Sequence, residues 1–206
     1  MVVGVDVGGA RKGFHAVALR NGAYWGRFSS TKADRVATWC RRIGAELVGI
    51  DAPCKWSCTG RAREAERALM RMAIWCFSTP TREAAVKHRS NHFGWMLAGE
   101  SLYAALSNTY RLLGTDGHDG QGKWMFETFP HAVVCSLRGR VVKAGPKRSV
   151  RTGVLHDQGI DTDRFTSIDY VDAALCALTA RFVAEGSWCS HGNAAEGTII
   201  VPCARQ

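Results

Sequence analysis

The sequence has no apolar stretch that approaches the roughly 20 residues of a transmembrane helix. Its first residues lack the basic region and the small-residue cleavage site of a secretion signal. No internal repeat and no linker-like segment is visible in the 206 residues. These absences argue against a membrane protein, an exported protein and a repeat array. We therefore expect one cytoplasmic domain that spans residues 1–206.

The composition is that of a soluble globular protein, with 46% hydrophobic and 22% charged residues. Eight cysteines are many, but the chain is longer and richer in core residues than a secreted disulfide scaffold. The formal net charge is +9, which favours polyanionic partners such as nucleic acid and also promotes solubility. No oligomeric state follows from the sequence.

The strongest local signal is the dipeptide Asn21-Gly22 between two strand-like segments, 13–20 and 23–28. Asn-Gly supplies the positive φ angles of a two-residue hairpin turn. A valine-rich strand at 2–7 leads directly into this hairpin. A helix beginning near Thr31, where Thr31 and Asp34 have capping-box spacing, then leads to a strand at 46–51. A strand, a crossover helix and a strand favour parallel pairing of 2–7 with 46–51 in an α/β sheet.

Further elements follow from the same patterns. A short strand is predicted at 124–129 and a short edge strand at 198–201. Helices are predicted at 61–76, 95–113, 131–138, 147–158 and 167–185.

Carboxylates occur where this topology would bring them together. Asp6 lies in the first strand, and Asp51 ends the strand expected beside it. Glu127 lies in the short strand before Pro130, and Asp172 lies early in the last helix, three residues after Asp169. Converging carboxylates repel one another, and Mg²⁺ or Mn²⁺ relieves that repulsion. Two such ions activate water and stabilise the leaving oxygen in phosphodiester hydrolysis.

Each acidic residue also has a structural interpretation. Asp6 would accept hydrogen bonds from the turn at Gly8-Gly9. Asp51 would cap the end of its strand, and Asp169 would only interact with the helix dipole. Glu127 would pair with an arginine such as Arg151. The combination of four sites favours metal binding more than any single residue does.

Four segments resemble the family called domain of unknown function 429, and they are Gly4 to Phe14, Gly49 to Pro53, Glu127 to Ala132, and Asp169 to Ala174 with Leu178 to Ala180. That family is described as a predicted ribonuclease-H-like nuclease. The resemblance implies a mixed five-stranded sheet of order 3-2-1-4-5 with an antiparallel second strand and flanking helices. It also implies an acidic site at Asp6, Asp51, Glu127 and Asp172. The opening residues are similar to Holliday-junction-resolvase-like members of the superfamily.

Basic residues form two clusters that would contact phosphates. One cluster comprises Lys143, Lys147, Arg148 and Arg151, which have no nearby acidic residue in sequence before Asp157. The other is the helical stripe Arg63, Arg67 and Arg71, which equally fits a solvated face paired with Glu64 and Glu66. We favour the first cluster as the nucleic-acid contact.

Three functions are compatible with these features. The first is a Mg²⁺- or Mn²⁺-dependent nuclease that acts on DNA or RNA, with Asp6, Asp51 and Asp172 as metal ligands. The second is a nucleotide-binding phosphotransferase or ATPase, which would use the Gly8-Gly9 turn for phosphate but usually needs two such domains. The third is a non-catalytic module that binds nucleic acid or protein.

Overall fold

The computed structural model describes residues 1–115, 117, 121–143 and 145–203. The strands are β1 (Val2–Val7), β2 (Phe14–Arg20), β3 (Ala23–Ser30), β4 (Leu47–Asp51), β5 (Arg111–Leu112), β6 (Trp124–Glu127), β7 (Trp188–Asn193) and β8 (Gly197–Pro202). The helices are α1 (Ala33–Arg42), α2 (Glu64–Arg71), α3 (Arg82–Lys87), α4 (Gly94–Leu106), α5 (Pro130–Arg138), α6 (Lys147–Asp157) and α7 (Ile168–Ala184). Among the described residues, no helix has both the length and the apolar character needed to cross a membrane.

The sheet has the strand order β3-β2-β1-β4-β6-β8-β7, and the short β5 also pairs with β6. β2 is antiparallel to β1, whereas β4 is parallel to β1 and β6 is parallel to β4. The first five strands of this order confirm the predicted ribonuclease-H-like arrangement. The sheet is larger than expected because β8 and β7 extend it beyond β6.

The hairpin and the first crossover are as predicted. Asn21 and Gly22 have φ angles of 51° and 80°, as a primed two-residue turn requires. The turn directs β3 back along β2, and the chain then returns through α1 to place β4 beside β1. This parallel register sets Asp6 opposite Asp51.

Buried side chains cover both faces of the sheet. One apolar cluster lies between the sheet and helices α5, α6 and α7, and the other lies between the sheet and helices α1 and α4. Helix α7 approaches the strands unusually closely, because glycines occupy the contact points. A methyl group at Gly4 would lie 2.0 Å from the carbonyl oxygen of Ala173, and one at Gly49 would lie 2.6 Å from that of Cys176. Such glycines mark places where two backbones meet.

Several predicted boundaries are wrong. Helix α2 ends at Arg71 instead of residue 76, because Ala73 adopts a φ of 59° and the chain leaves the helix. Helix α4 ends at Leu106 instead of residue 113, and the following residues enter β5. The Thr31–Asp34 capping box is also absent, since Lys32 is the N-cap residue and makes no side-chain capping bond.

The last strand is not the edge of the sheet. β8 lies between β6 and β7, so the edge is formed by β7, which sequence analysis missed. The sequence of β7, Trp188 to Asn193, is polar and has no apolar alternation that would predict a strand. A disulfide between Cys189 and Cys203 links β7 to the segment that follows β8.

Candidate active site

Asp6 and Asp51 are directly paired at the carboxyl ends of the parallel strands β1 and β4. Both are half-buried. Within the described ranges, neither carboxylate receives a hydrogen bond, so the alternative in which the Gly8-Gly9 turn donates to Asp6 is not observed. Two adjacent acids therefore lie at the edge where open α/β sheets bind ligands, without donors that would explain them structurally.

Asp172 completes an acidic cluster with these two residues. Burial, followed by the charges of Asp172 and Asp169, raises the pKa of Asp6 to about 8. Burial, followed by the charges of Asp6 and Asp172, raises the pKa of Asp51 well above its ordinary value. Burial also raises the pKa of Asp172. The structure thus brings Asp6, Asp51 and Asp172 within electrostatic reach of one another, where their full ionisation is unfavourable without a cation.

Two side-chain cations flank the cluster. The Arg151 guanidinium donates to the Asp172 carboxylate, and Lys12 Nζ lies 3.0 Å from Asp169 Oδ1. The positive charges of Lys12 and Arg151 both lower the pKa of Asp6, but burial and the neighbouring acids outweigh them. Asp169 is therefore an ion-pair partner as well as a first-turn residue of α7.

Glu127 lies close by but is held by an arginine. Arg63 Nη2 is 2.6 Å from Glu127 Oε1, and Arg63 Nη1 is 2.9 Å from Glu127 Oε2. The Cys54 amide donates to the same carboxylate at 2.8 Å. Arg63 also pairs with Glu66 at 2.8 Å, and both partners are almost fully buried. An arginine partner for Glu127 was one of the alternatives, but the partner is Arg63 and not Arg151.

The donor set suits a hard divalent cation in its chemistry. Across the described ranges, no group of three or more histidine, cysteine, aspartate or glutamate side chains is arranged closely enough to hold a metal ion. Asp6 and Asp51 nevertheless offer carboxylate oxygens without hydrogen bonds, as Mg²⁺ and Mn²⁺ prefer. Asp172 would join them only after separating from Arg151.

The predicted phosphate-binding cluster is divided in two by the structure. Lys143 and Lys147 are exposed. Arg148 donates to the carbonyl oxygen of Phe165 at 2.6 Å, and Arg151 is buried against Asp172. Arg148 is exposed as well, so three of the four residues face solvent, while Arg148 and Arg151 also make contacts within the protein.

The arginine stripe of α2 fits its structural interpretation. Arg67 and Arg71 both pair with Glu64, at 2.8 and 2.7 Å. Arg63, at the start of the stripe, is buried instead of solvated. The clamp that Arg63 forms on Glu127 was not predicted, since the two residues are 64 positions apart in sequence.

His131 lies at the start of α5, near the acidic cluster. Burial, followed by the charges of Arg151 and Lys147, lowers its pKa. Its ring is therefore neutral at pH 7 and retains a basic nitrogen.

These features define an α/β domain of the ribonuclease-H-like class with an acidic cluster at the carboxyl edge of its sheet. Residues 4–196 match the family described as Protein of unknown function (DUF429), and the chain belongs to that family. The solved structure of Thermus thermophilus RuvC is similar to it over 90% of this chain and 96% of that chain, with 17% sequence identity and a TM-score of 0.46. No curated protein matches the chain.

Proposed function

We propose that the protein is a Mg²⁺- or Mn²⁺-dependent nuclease that hydrolyses phosphodiester bonds of DNA or RNA. The pairing of Asp6 with Asp51 beside Asp172 carries this proposal. Buried carboxylates destabilise a fold unless they are paired or bind a cation. Here the two strand residues have no hydrogen-bonding partner within the described part of the chain, which favours a functional explanation.

Asp6, Asp51 and Asp172 would hold the metal, because the charges of Asp6 and Asp172 both act on Asp51 and the charge of Asp172 also acts on Asp6. A bound divalent ion would activate water and stabilise the leaving oxygen. Arg151 neutralises Asp172 in the metal-free protein. An Arg151 guanidinium separated from Asp172 would be able to donate to a substrate phosphate. His131 can accept a proton, since its ring is neutral at pH 7.

Glu127 is best described as a positioning residue under this proposal. It accepts from Arg63 and from the Cys54 amide, so it fixes the segment that follows Asp51. Its charge also contributes to the raised pKa of Asp51. We therefore assign the metal to Asp6, Asp51 and Asp172, and assign to Glu127 the support of that site.

The turn after β1 counts against a phosphotransferase or ATPase. The amide of Gly8 donates to the Gly13 carbonyl at 2.8 Å. The amides of Lys12 and Gly13 donate to the Gly9 carbonyl at 3.0 and 2.9 Å. A phosphate-binding turn needs its amides directed at the ligand, and these three are used inside the loop.

The test is cleavage of labelled single-stranded and duplex DNA and RNA with Mg²⁺, with Mn²⁺ and with chelator. We expect metal-dependent cleavage that Asp6→Asn and Asp51→Asn abolish. Asp163→Asn, which alters an exposed carboxylate, is the control and should retain activity. Cleavage that survives Asp6→Asn or excess chelator would refute the proposal. Metal-independent binding of nucleic acid without cleavage would support the non-catalytic module.

A further inference from the structure

A cleft of about 550 Å³ opens beside the acidic cluster. It lies between the segment after α2, the start of α5 and the first turns of α6. Its walls include Trp75, Phe77, Phe129, Lys143, Lys147 and Arg151. The volume is within the range of small-ligand sites. Since Arg151 also contacts Asp172, the cleft ends at the residues assigned to catalysis.

Two aromatic rings of this cleft are open to solvent. Trp75 is 73% exposed and Phe77 is 65% exposed, although both are large apolar side chains. The Phe77 ring makes edge contacts with Trp95 and His92, at centroid distances of 6.1 and 6.3 Å. The protein therefore holds aromatic surface at the entrance of a cleft, where a planar ligand can stack on it.

The charge on the same walls is positive. Lys143 and Lys147 are exposed, and in the described segments neither forms an ion pair. No aspartate or glutamate is among the described residues that line the cleft. Aromatic rings and unpaired cations on the walls of one cleft are the features that bind the bases and phosphates of single-stranded nucleic acid.

The cleft adjoins part of the acidic site through shared wall residues. A second cavity of about 40 Å³ contains Asp51 and Glu127 in its lining. It shares Phe77, Phe129 and Cys76 with the larger cleft. A base held in the cleft would therefore keep its adjoining phosphates near both the lysines and the carboxylates.

We propose that this cleft binds an unpaired nucleobase, stacked on Trp75 and Phe77, with flanking phosphates on Lys143 and Lys147. A base inside a duplex cannot enter such a pocket without leaving its stack. The substrate class is accordingly single-stranded DNA or RNA, or an unpaired position in a longer polymer. Its catalytic meaning rests on the proposed nuclease function, whereas the binding itself does not.

Fluorescence anisotropy in chelator tests the binding without cleavage. The probes are an end-labelled oligothymidine, an abasic oligomer of equal length and a blunt duplex. We expect the full chain to bind the oligothymidine most tightly. Trp75→Ala should weaken that binding about fivefold or more and leave abasic binding unchanged, because only bases stack. Lys147→Ala should weaken both.

Trp25→Ala is the matched control, since Trp25 is 42% exposed on β3, outside the cleft lining. Phe77→Ala tests the second ring and keeps the proposal falsifiable if Trp75→Ala does not fold. Equal loss with Trp25→Ala and Trp75→Ala would overturn the proposal, as would equal affinity for duplex and oligothymidine. A dimer in size-exclusion chromatography that Trp75→Ala dissociates, with no base-dependent binding, would assign the cleft to a second copy instead.

The two proposals fail separately. Base-dependent binding without metal-dependent cleavage would retain the cleft assignment and reject the nuclease. Metal-dependent cleavage with binding that is insensitive to substitution of Trp75 and Phe77 would retain the nuclease and reject the cleft assignment.

Discussion

Replacing Asp6 by asparagine should change how the stability of the metal-free protein depends on pH. Asp6 has its pKa raised from 3.8 to about 8, first by burial and then by the charges of Asp172 and Asp169. The folded protein therefore keeps a proton that the unfolded chain has released. The resulting stabilisation is complete below the unfolded pKa and is lost as the pH rises towards about 8.

The size of the effect follows from proton linkage. Each additional proton bound by the folded state lowers the free energy of unfolding by about 1.4 kcal/mol per pH unit. Between about pH 5.5 and about pH 7, Asp6 therefore lowers the free energy of unfolding of the parent by about 2 kcal/mol. Asp6→Asn lacks this titrating group and should not show the decrease. Relative to the parent, the free energy of unfolding of Asp6→Asn should therefore rise by up to that amount over the same pH interval.

Urea unfolding in chelator at a series of pH values measures this difference. Asp163→Asn removes an exposed carboxylate and controls for the change in net charge. Mg²⁺ should stabilise the parent more than Asp6→Asn, since a ligand stabilises only the state that binds it. The reasoning would be refuted if the difference in free energy of unfolding between Asp6→Asn and the parent did not change with pH. It would also be refuted if Asp6→Asn became less stable relative to the parent as the pH rises. Equal stabilisation of both proteins by Mg²⁺ would refute the metal assignment of Asp6.

Two further substitutions test the frame around the site. Glu127→Gln should lower the free energy of unfolding by about 3 kcal/mol in chemical denaturation, because it leaves the buried Arg63 with one carboxylate partner fewer. Glu64→Gln is the control and should change the free energy of unfolding little, since the arginine partners of Glu64 are exposed. Equal effects of the two substitutions would contradict the buried clamp. Gly4→Ala should lower the free energy of unfolding by about 3 kcal/mol or more, measured in thermal melts, because the added methyl group forces α7 away from β1. Gly26→Ala is the control, since a methyl group there meets no atom within 4 Å. Similar melting temperatures for the two variants would show that the contact between α7 and β1 is not tight.

Local sequence signals predicted the part of the fold that depends on neighbours in the chain. Asn21-Gly22 specified the hairpin, and the apolar strand ending in Asp51 specified the parallel partner of β1. β7 was missed because its residues are polar, and its place at the edge depends on pairing with β8. No short-range pattern contains that information.

The candidate site could likewise be predicted only in the part that follows from the order of the strands. The register of two parallel strands brings Asp6 to Asp51, and this could be derived from the order of elements. The Arg63–Glu127 clamp joins residues that are distant in sequence, so only the folded chain reveals it. Trp75 was placed within a helix that ends four residues before it. Its exposure beside the acidic cluster is a property of the loop that replaced that helix.

The glycine contacts of α7 make the spacing of the acidic residues independent of the surface that lines the cleft. Main-chain atoms at Gly4 and Gly49 set the distance from α7 to β1 and β4, and hence the spacing of Asp172 from Asp6 and Asp51. The aromatic wall of the cleft is built from the loop between α2 and α3, which takes no part in that contact. Under the proposed function, substitution of the exposed Trp75 and Phe77 would change which polymer the cleft holds without changing that spacing. A library restricted to Trp75 and Phe77 would leave unchanged Thr79, whose amide and hydroxyl donate to Glu66 and thereby hold the Arg63 clamp in place.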